Sequence, residues 1–537
     1  MSFFYLIRQL SLLSLLLSFL STSWLYLYPV FHGCSFPSPR VSHTTSYLDT
    51  VKQHLGLDPK REYHAAPFRL LALGDPQLEG DTSLRPPPPI RSRWEELKQQ
   101  DPKNIINEIL YNDIPSHLKY YRKYIDLIGN DYYLGHIYRT LHWWTNPTHV
   151  SVLGDLLGSQ WISNEEFARR GWRYWNRVFK NGLRVDDEIT KQPSVEDLGA
   201  DPAWERRIIN IVGNHDIGYA GDMTKERMER FHRAFGRDNW EISFRYNTSK
   251  GLDPVPRLRI IVVNDLNLDG PAIDKDLQAA TYEFINGALS RSQMVEDRSV
   301  GTILLTHVPL YKEAGVCVDG PFFTFHEQQF GGGVREQNHL SYDSSRQLLE
   351  ELFGLSANPK APGGGLGRKG IIINGHDHEG CDTYHHIPSE SRQDERPWKA
   401  RRWESSKDLV NSTIAGIREI TLRAMMGDYD GFAGLLTAWF DEPSGEWKFD
   451  FSSCSLGKTP LWWAVHVTGL ITVVLNTLWT ICWLSSSSSA AGKSTQAPKQ
   501  QQKIDEKNGN AKTMNGKTKQ KRRVQGRSVD KNNRRKA

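Results

Sequence analysis

Five times along this chain an apolar, strand-like run stops on Asp, Asn or His. That repeated ending narrows what the chain can fold into. "FRLLALGDPQ" ends on Asp75 and Gln77, and "HVSVLGDLLGS" on Asp155. "RIINIVGNHDIGY" ends on Asn214, His215 and Asp216, "TILLTHVPLY" on His307, and "IIINGHDHEG" on His376 and His378. Continuously apolar runs are the mark of strands buried on both faces. Ligands in α/β folds gather outside the carboxyl ends of such strands. Gly74, Gly154, Gly213 and Gly375 stand at these endings, where a sharp turn or a close backbone approach is needed. Asp, Asn and His together form the oxygen and imidazole set that binds Mn, Fe or Zn. Two such metals about 3.5–4 Å apart make a clamp for phosphoryl displacement. A lone Gly-Asp after a strand is usually only a turn, so the set carries the reading, not any one member.

At 537 residues the chain exceeds one ordinary domain. Its net charge of +5 conceals an asymmetry: residues 485–537 carry 15 Lys/Arg against 3 Asp/Glu, which leaves the rest at −7. Nucleic-acid binding by the folded part is therefore not implied. Leu461–Leu484 is apolar and holds no Asp, Glu, Lys or Arg. It is long enough to span a bilayer, and Trp462, Trp463, Trp479 and Trp483 stand near its ends, where indoles favour the interface. Leu10–Phe31 is a second apolar stretch. A single Arg8 and the lack of a clean small-x-small site favour an uncleaved anchor over a signal peptide. The positive-inside bias then puts the basic tail in the cytosol and residues 32–460 on the far side. The sequons at Asn247 and Asn411 agree with that placement. Disulfides are permitted there. Connectivity is open, although Cys317 and Cys381 each follow a candidate ligand loop and can meet.

The organisation expected is a short cytosolic N-terminus at 1–9, an anchor at 10–31 and a linker at 32–66. An α/β domain follows at 67–455, then a second span at 461–484 and a disordered basic tail at 485–537. Insertions are expected at 80–145, 159–205 and 312–369. In the second, Phe167, Trp172, Trp175 and Phe179 recur near helical spacing, as on a packed helix face. In the third, Ser341 opens a short helix with "RQLLEELF" as its body.

The order D-x-(H/Q), GD, GNHD, H and GHxH, between about Phe68 and Phe440, resembles the calcineurin-like metallophosphoesterases. The resemblance implies a four-layer α/β sandwich, two mixed sheets flanked by helices, with a two-metal centre at the strand ends. It makes Asp155 the bridge between both metals. Asp75 and His378 hold the first metal, and Asn214, His307 and His376 the second. His215 faces the phosphate and Asp216 orients His215. Gln77 stands where many members have His. An amide oxygen is a weaker zinc ligand and shifts preference towards Mn or Mg, or Gln77 leaves the position to water. Manganese is the expected cation of both sites, with Zn, Fe and Mg as alternatives.

"LALGDPQLEG", "VLGDLLGSQW", "GNHDIGYAGD", "VREQNHLS" and "LRAMMGDYDGFAGLLTAW", with a span at each end, resemble a narrower group. These are the fungal endoplasmic-reticulum phosphoesterases that remove ethanolamine phosphate from a GPI-anchor mannose. That resemblance implies a membrane-embedded, lumenal phosphodiesterase acting on the glycan of GPI-anchored proteins. Asn338 and His339 are the expected substrate contacts. Two other functions stay open at this stage. One is a phosphomonoesterase or protein phosphatase of the same superfamily. The other is a non-catalytic cargo adaptor, for which only Gln77 speaks.

Overall fold

A computed structural model describes residues 3–39, 66–84 and 101–493, except 248–250, 389–397, 407 and 409–414, together with a few positions between 51 and 98. Most of the expected linker, the tail beyond 493 and Asn411 lie outside the described residues. The described residues divide into two units between Asn476 and Thr477.

The apolar runs become strands in two mixed sheets. The first has six strands in the order β16-β15-β1-β2-β5-β3. These are β1 (Phe68–Leu73), β2 (His149–Leu153), β3 (Leu183–Arg184), β5 (Arg207–Ile211), β15 (Phe432–Asp441) and β16 (Glu446–Ser455). The second has eight, in the order β13-β12-β14-β11-β8-β7-β6-β4. These are β4 (Ser194–Asp197), β6 (Trp240–Arg245), β7 (Arg257–Val262), β8 (Val300–Leu305), β11 (Gly370–Asn374), β12 (Cys381–His386), β13 (Lys399–Arg402) and β14 (Gly416–Thr421). A separate hairpin joins β9 (Phe323–Phe325) to β10 (Val334–Gln337). The central pairs β1–β2, β2–β5, β7–β8, β8–β11 and β11–β14 are parallel.

The period-2 alternation of strands sorts the core. Leu70 and Ala72 join Ile211, Ile260, Ile303, Ile371 and Leu436 in the layer between the sheets. Their neighbours Leu71 and Leu73 face the other way, into a cluster with Tyr133, Phe167, Phe231 and Ile285 of the flanking helices. Those helices include α3 (Ile114–Thr145), α4 (Asn164–Arg173), α5 (Lys225–Phe235) and α6 (Lys275–Ser290). The expected mixed α/β layering of two sheets between helices is therefore present.

Helix α1 (Phe3–Phe31) and helix α7 (Thr459–Lys493) flank this body in sequence. Both are long and apolar enough to cross a membrane. Helix α7 continues through the serines after Leu484 as far as Lys493, beyond the expected end of the span. Helix α2 (Pro102–Glu108) leads through a wide turn at Ile109–Asp113 into α3. Two disulfides form: Cys317–Cys381, a pairing the loops allowed, and Cys34–Cys454, which the sequence did not suggest.

Among the expected local features, Ser341 caps the helix Tyr342–Gln347 by accepting from the Ser344 amide. The aromatic series in the second insertion is only partly a packed face. Phe167 and Phe179 are buried, whereas Trp172 is exposed. A wide turn at Tyr174–Val178 breaks the helical phase between them.

Candidate metal centre

Each ligand-bearing turn leaves the carboxyl end of a parallel strand. Asp75, Asp155 and Asn214 follow β1, β2 and β5, neighbours in the six-stranded sheet. His307 and His376 follow β8 and β11, neighbours in the eight-stranded sheet. The two sheets are stitched together where these turns meet. His307 Nδ1 donates to the Leu153 carbonyl at 2.7 Å, and the His376 amide donates to Asp75 Oδ1 at 3.1 Å. A ligating His is commonly oriented through its other ring nitrogen in this way.

The turns are backbone-strained. Asp75, Gln77, Asp155 and His376 all adopt positive φ, a left-handed conformation that non-glycine residues seldom take and that clusters at functional sites. Gly154 at φ +94° lets the His307 ring close in; a Cβ there would stand 2.2 Å from Nδ1.

Two overlapping donor groups result. Asp75, Asp155 and His378 bring ligand atoms within 4.8 Å of one another, and so do Asp155, His307 and His376. Asp155 is common to both, and Asn214 Oδ1 lies 3.0 Å from His307 Nε2. His376 Nε2 donates to the Gln337 carbonyl at 2.8 Å, which leaves Nδ1 as its acceptor nitrogen. The Gln77 amide nitrogen lies between the members of the first group, 3.0 Å from Asp155 Oδ2 and 3.1 Å from His378 Nε2.

The charges here fit cations. Burial pushes the Asp75 carboxyl up, beyond what His307 offsets, and its Oδ2 is buried with no hydrogen-bond partner. Burial also disfavours charge on Asp155, but His215 and His307 outweigh it and hold that carboxyl well below the usual range. His376 is pushed down to about 3, by burial first and by His307 next. Two enclosed carboxylates, an amide oxygen and three imidazoles form a donor set for a pair of divalent cations.

His215 stands at the mouth, its side chain 39% exposed and Nε2 3.9 Å from Asp155 Oδ2. Asp216, expected to orient His215, makes its described hydrogen bonds to the backbone. Its two oxygens accept the amides of Leu157, Gly213 and Leu156 at 2.9, 2.9 and 3.2 Å. A fully buried carboxylate that accepts three amides ties the Asp155 turn to the Asn214 turn.

The two expected substrate contacts fare differently. Asn338 is half-buried, with its side-chain amide donating to the Gly320 carbonyl at 3.4 Å. His339 is 1% exposed and lies in the field of Lys312, Glu419 and His385. It is enclosed. The residue of that stretch that bears on the centre is Gln337, whose carbonyl holds both His376 and the Tyr219 hydroxyl. A backbone carbonyl leaves no trace in a motif.

Asp265 was also missed. It accepts the His307 amide at 3.3 Å and the Val308 amide at 3.0 Å, and so fixes the His307 turn. A signal existed: "RIIVVND" is a sixth apolar run ending on Asn and Asp.

No protein-family model matches the chain. Protein TED1 of Saccharomyces cerevisiae is 31% identical over 530 residues, covering 87% of this chain and 97% of that protein. An uncharacterized Schizosaccharomyces pombe protein is 33% identical over 50% of this chain and 59% of its own length. Metallophosphoesterase 1 of Danio rerio is 22% identical over 55% of this chain and 69% of its own length.

Proposed function

The chain belongs to the metallophosphoesterase family, and from that premise we propose that it is a phosphodiesterase of the endoplasmic-reticulum membrane that removes ethanolamine phosphate from a mannose of GPI anchors. That reaction supports export of GPI-anchored proteins. The observation that carries the chemistry is the pair of donor groups sharing Asp155. The substrate reading is supported by near-complete coverage of Protein TED1 and by the motifs resembling fungal GPI-remodelling phosphoesterases. Two helices apolar enough to span a bilayer support tethering beside a lipid-anchored substrate.

In this reading Asp75, Gln77 and His378 would hold one divalent cation, and Asn214, His307 and His376 the other, with Asp155 common to both groups. Manganese suits a set that includes the neutral oxygen of Asn214. When bound, such a pair supplies Lewis-acid activation of water and of the phosphoryl group. The chain's own residues do the rest. His215 at the mouth neutralises charge building on the phosphoryl oxygens and gives a proton to the departing sugar alkoxide. Leu153 and Gln337 fix the His307 and His376 imidazoles, and Asp265 fixes the His307 backbone, before substrate arrives, so less reorganisation is needed at the moment of reaction. The catalytic body faces the lumen, and the basic tail faces the cytosol.

The test is incubation of the detergent-solubilised full chain and manganese with a GPI glycan bearing ethanolamine phosphate, followed by mass. Metal-dependent loss of ethanolamine phosphate, absent in Asp155→Asn, is expected. Hydrolysis of bis-p-nitrophenyl phosphate without that loss would discard the substrate and keep the diesterase. No turnover of any ester with both metals bound would discard the enzyme.

A further inference from the structure

Helix α3 has two halves with different surroundings. Its second half is core: Leu127, Tyr133, Leu134, Ile137, Tyr138 and Leu141 are buried. This half also packs on the ends of both membrane-length helices. The Tyr133 hydroxyl donates to the Gly457 carbonyl at 2.5 Å, and its ring meets Trp462 edge-on at 6.4 Å. His136 lies edge-on to Tyr26 at 5.2 Å, and Trp144 Nε1 donates to the Tyr26 carbonyl at 2.8 Å. At Gly129 the Trp463 indole comes so close that a Cβ would stand 1.9 Å from it.

The first half is unlike this. Ile114, Leu118, Tyr121 and Ile125 follow one another at helical spacing and are 45%, 65%, 57% and 55% exposed. Leu110 and Tyr111, in the turn before, and Tyr124 are exposed as well. At about 100° per residue, Ile114, Leu118, Tyr121, Tyr124 and Ile125 lie in a sector roughly 120° wide, with His117 the polar residue inside it. The opposite face carries Asn112, Ser116, Lys119, Arg122, Lys123 and Asp126. An apolar sector that wide exceeds the narrow seam of a coiled coil. Large exposed apolar patches mark an interaction surface. Here the patch continues a helix whose other half is docked on Tyr26, Gly457, Trp462 and Trp463, where the spans meet the bilayer surface. Tyrosines and aliphatics on one face with lysines and arginine on the other suit the boundary between headgroups and acyl chains.

We infer that the first half of α3 is a membrane-interface helix, with Ile114, Leu118, Tyr121 and Ile125 seated in the leaflet from which the two spans emerge. The insertion thus adds a third membrane contact, lying in the surface rather than crossing it, which fixes the height and tilt of the catalytic body. This inference rests on the two helices spanning the bilayer, not on the identity of the substrate.

The experiment uses the full chain with Cys482→Ser, reconstituted in phosphatidylcholine/phosphatidylserine vesicles, because the other four cysteines are paired. Nitroxide labels are placed singly by Leu118→Cys, Ile125→Cys, Ser116→Cys and, as the span control, Leu470→Cys. Collision with oxygen is compared with collision with a nickel chelate. Labels at 118 and 125 should show a several-fold higher oxygen-to-nickel ratio than the label at 116, and approach the label at 470. Equal, water-like ratios at 116, 118 and 125 would overturn the inference. So would broadening between 118 labels that disappears on dilution with unlabelled chain, because a second copy would then cover this face. A water-like ratio at 470 would remove its premise.

Discussion

Lys312 and Glu419 form an ion pair at 2.8 Å with neither side chain exposed to solvent. Glu419 also accepts the Leu310 amide at 2.7 Å, the Asn374 side-chain amide at 2.7 Å and His385 Nε2 at 2.7 Å. Leu310 lies three residues after His307, and Asn374 two before His376, so one carboxylate holds the roots of two ligand turns. Breaking a buried pair by removing one partner costs about 3–5 kcal/mol, because the other charge is left uncompensated. Lys312→Met should lower the thermal unfolding temperature in detergent and reduce metal bound per chain. Unchanged melting and full metal content would show that the pair is dispensable.

Asp155 and His215 should separate cleanly. Asp155 is common to both donor groups, so Asp155→Asn should lose metal and all turnover together. His215 belongs to neither group, and His215→Ala should keep its metals while the rate falls by about 100-fold or more, the range for a lost general acid. Metal content by mass spectrometry alongside turnover reads both. Loss of metal in the His215 variant would move that residue into the ligand set.

Gln77→His should strengthen the first site. The Gln77 amide already reaches Asp155 and His378 at 3.0 and 3.1 Å, and imidazole binds zinc more strongly than an amide oxygen does. After dialysis against a chelator the variant should retain more zinc per chain than the wild type. Equal retention would show that the side chain at position 77 does not touch the cation.

Asp216→Asn should act as a change of scaffold. With three backbone amides on its carboxylate, the loss of acceptor capacity loosens the Asp155 and Asn214 turns. Melting temperature should fall and the pH dependence of turnover should keep its shape. An altered pH profile with unchanged melting would instead favour the orienting role.

His149 sets an acid limit on stability. It is buried among Phe68, Trp204 and Phe244, with ring centroids 4.5, 5.4 and 5.0 Å away. Burial, with Arg69 adding to it, pushes its pKa down to about 3 from 6.5. The unfolded chain therefore binds a proton that the folded chain excludes. Between those two values stability falls with falling pH by up to about 1.4 kcal/mol per unit from this group. His149→Phe should flatten the fall in melting temperature between pH 6.5 and 4. An identical slope in the two proteins would assign the acid sensitivity elsewhere.

By itself the sequence determined the parallel-strand core, both apolar terminal helices and the set of side chains at the strand ends. These are local properties: continuous apolar runs bury themselves, long apolar runs leave water, and a polar residue at the end of a buried strand sits at its mouth. Partnership was decided only in three dimensions. Asp216 accepts backbone amides of two ligand turns, His339 is enclosed beside Lys312, the Gln337 carbonyl orients His376, and Cys34 pairs with Cys454. The same holds for α3, whose second half is buried and whose first half is exposed. Which donor meets which acceptor depends on how two sheets close on each other, and residues that meet there lie tens to hundreds of positions apart. No periodicity in the chain records that distance.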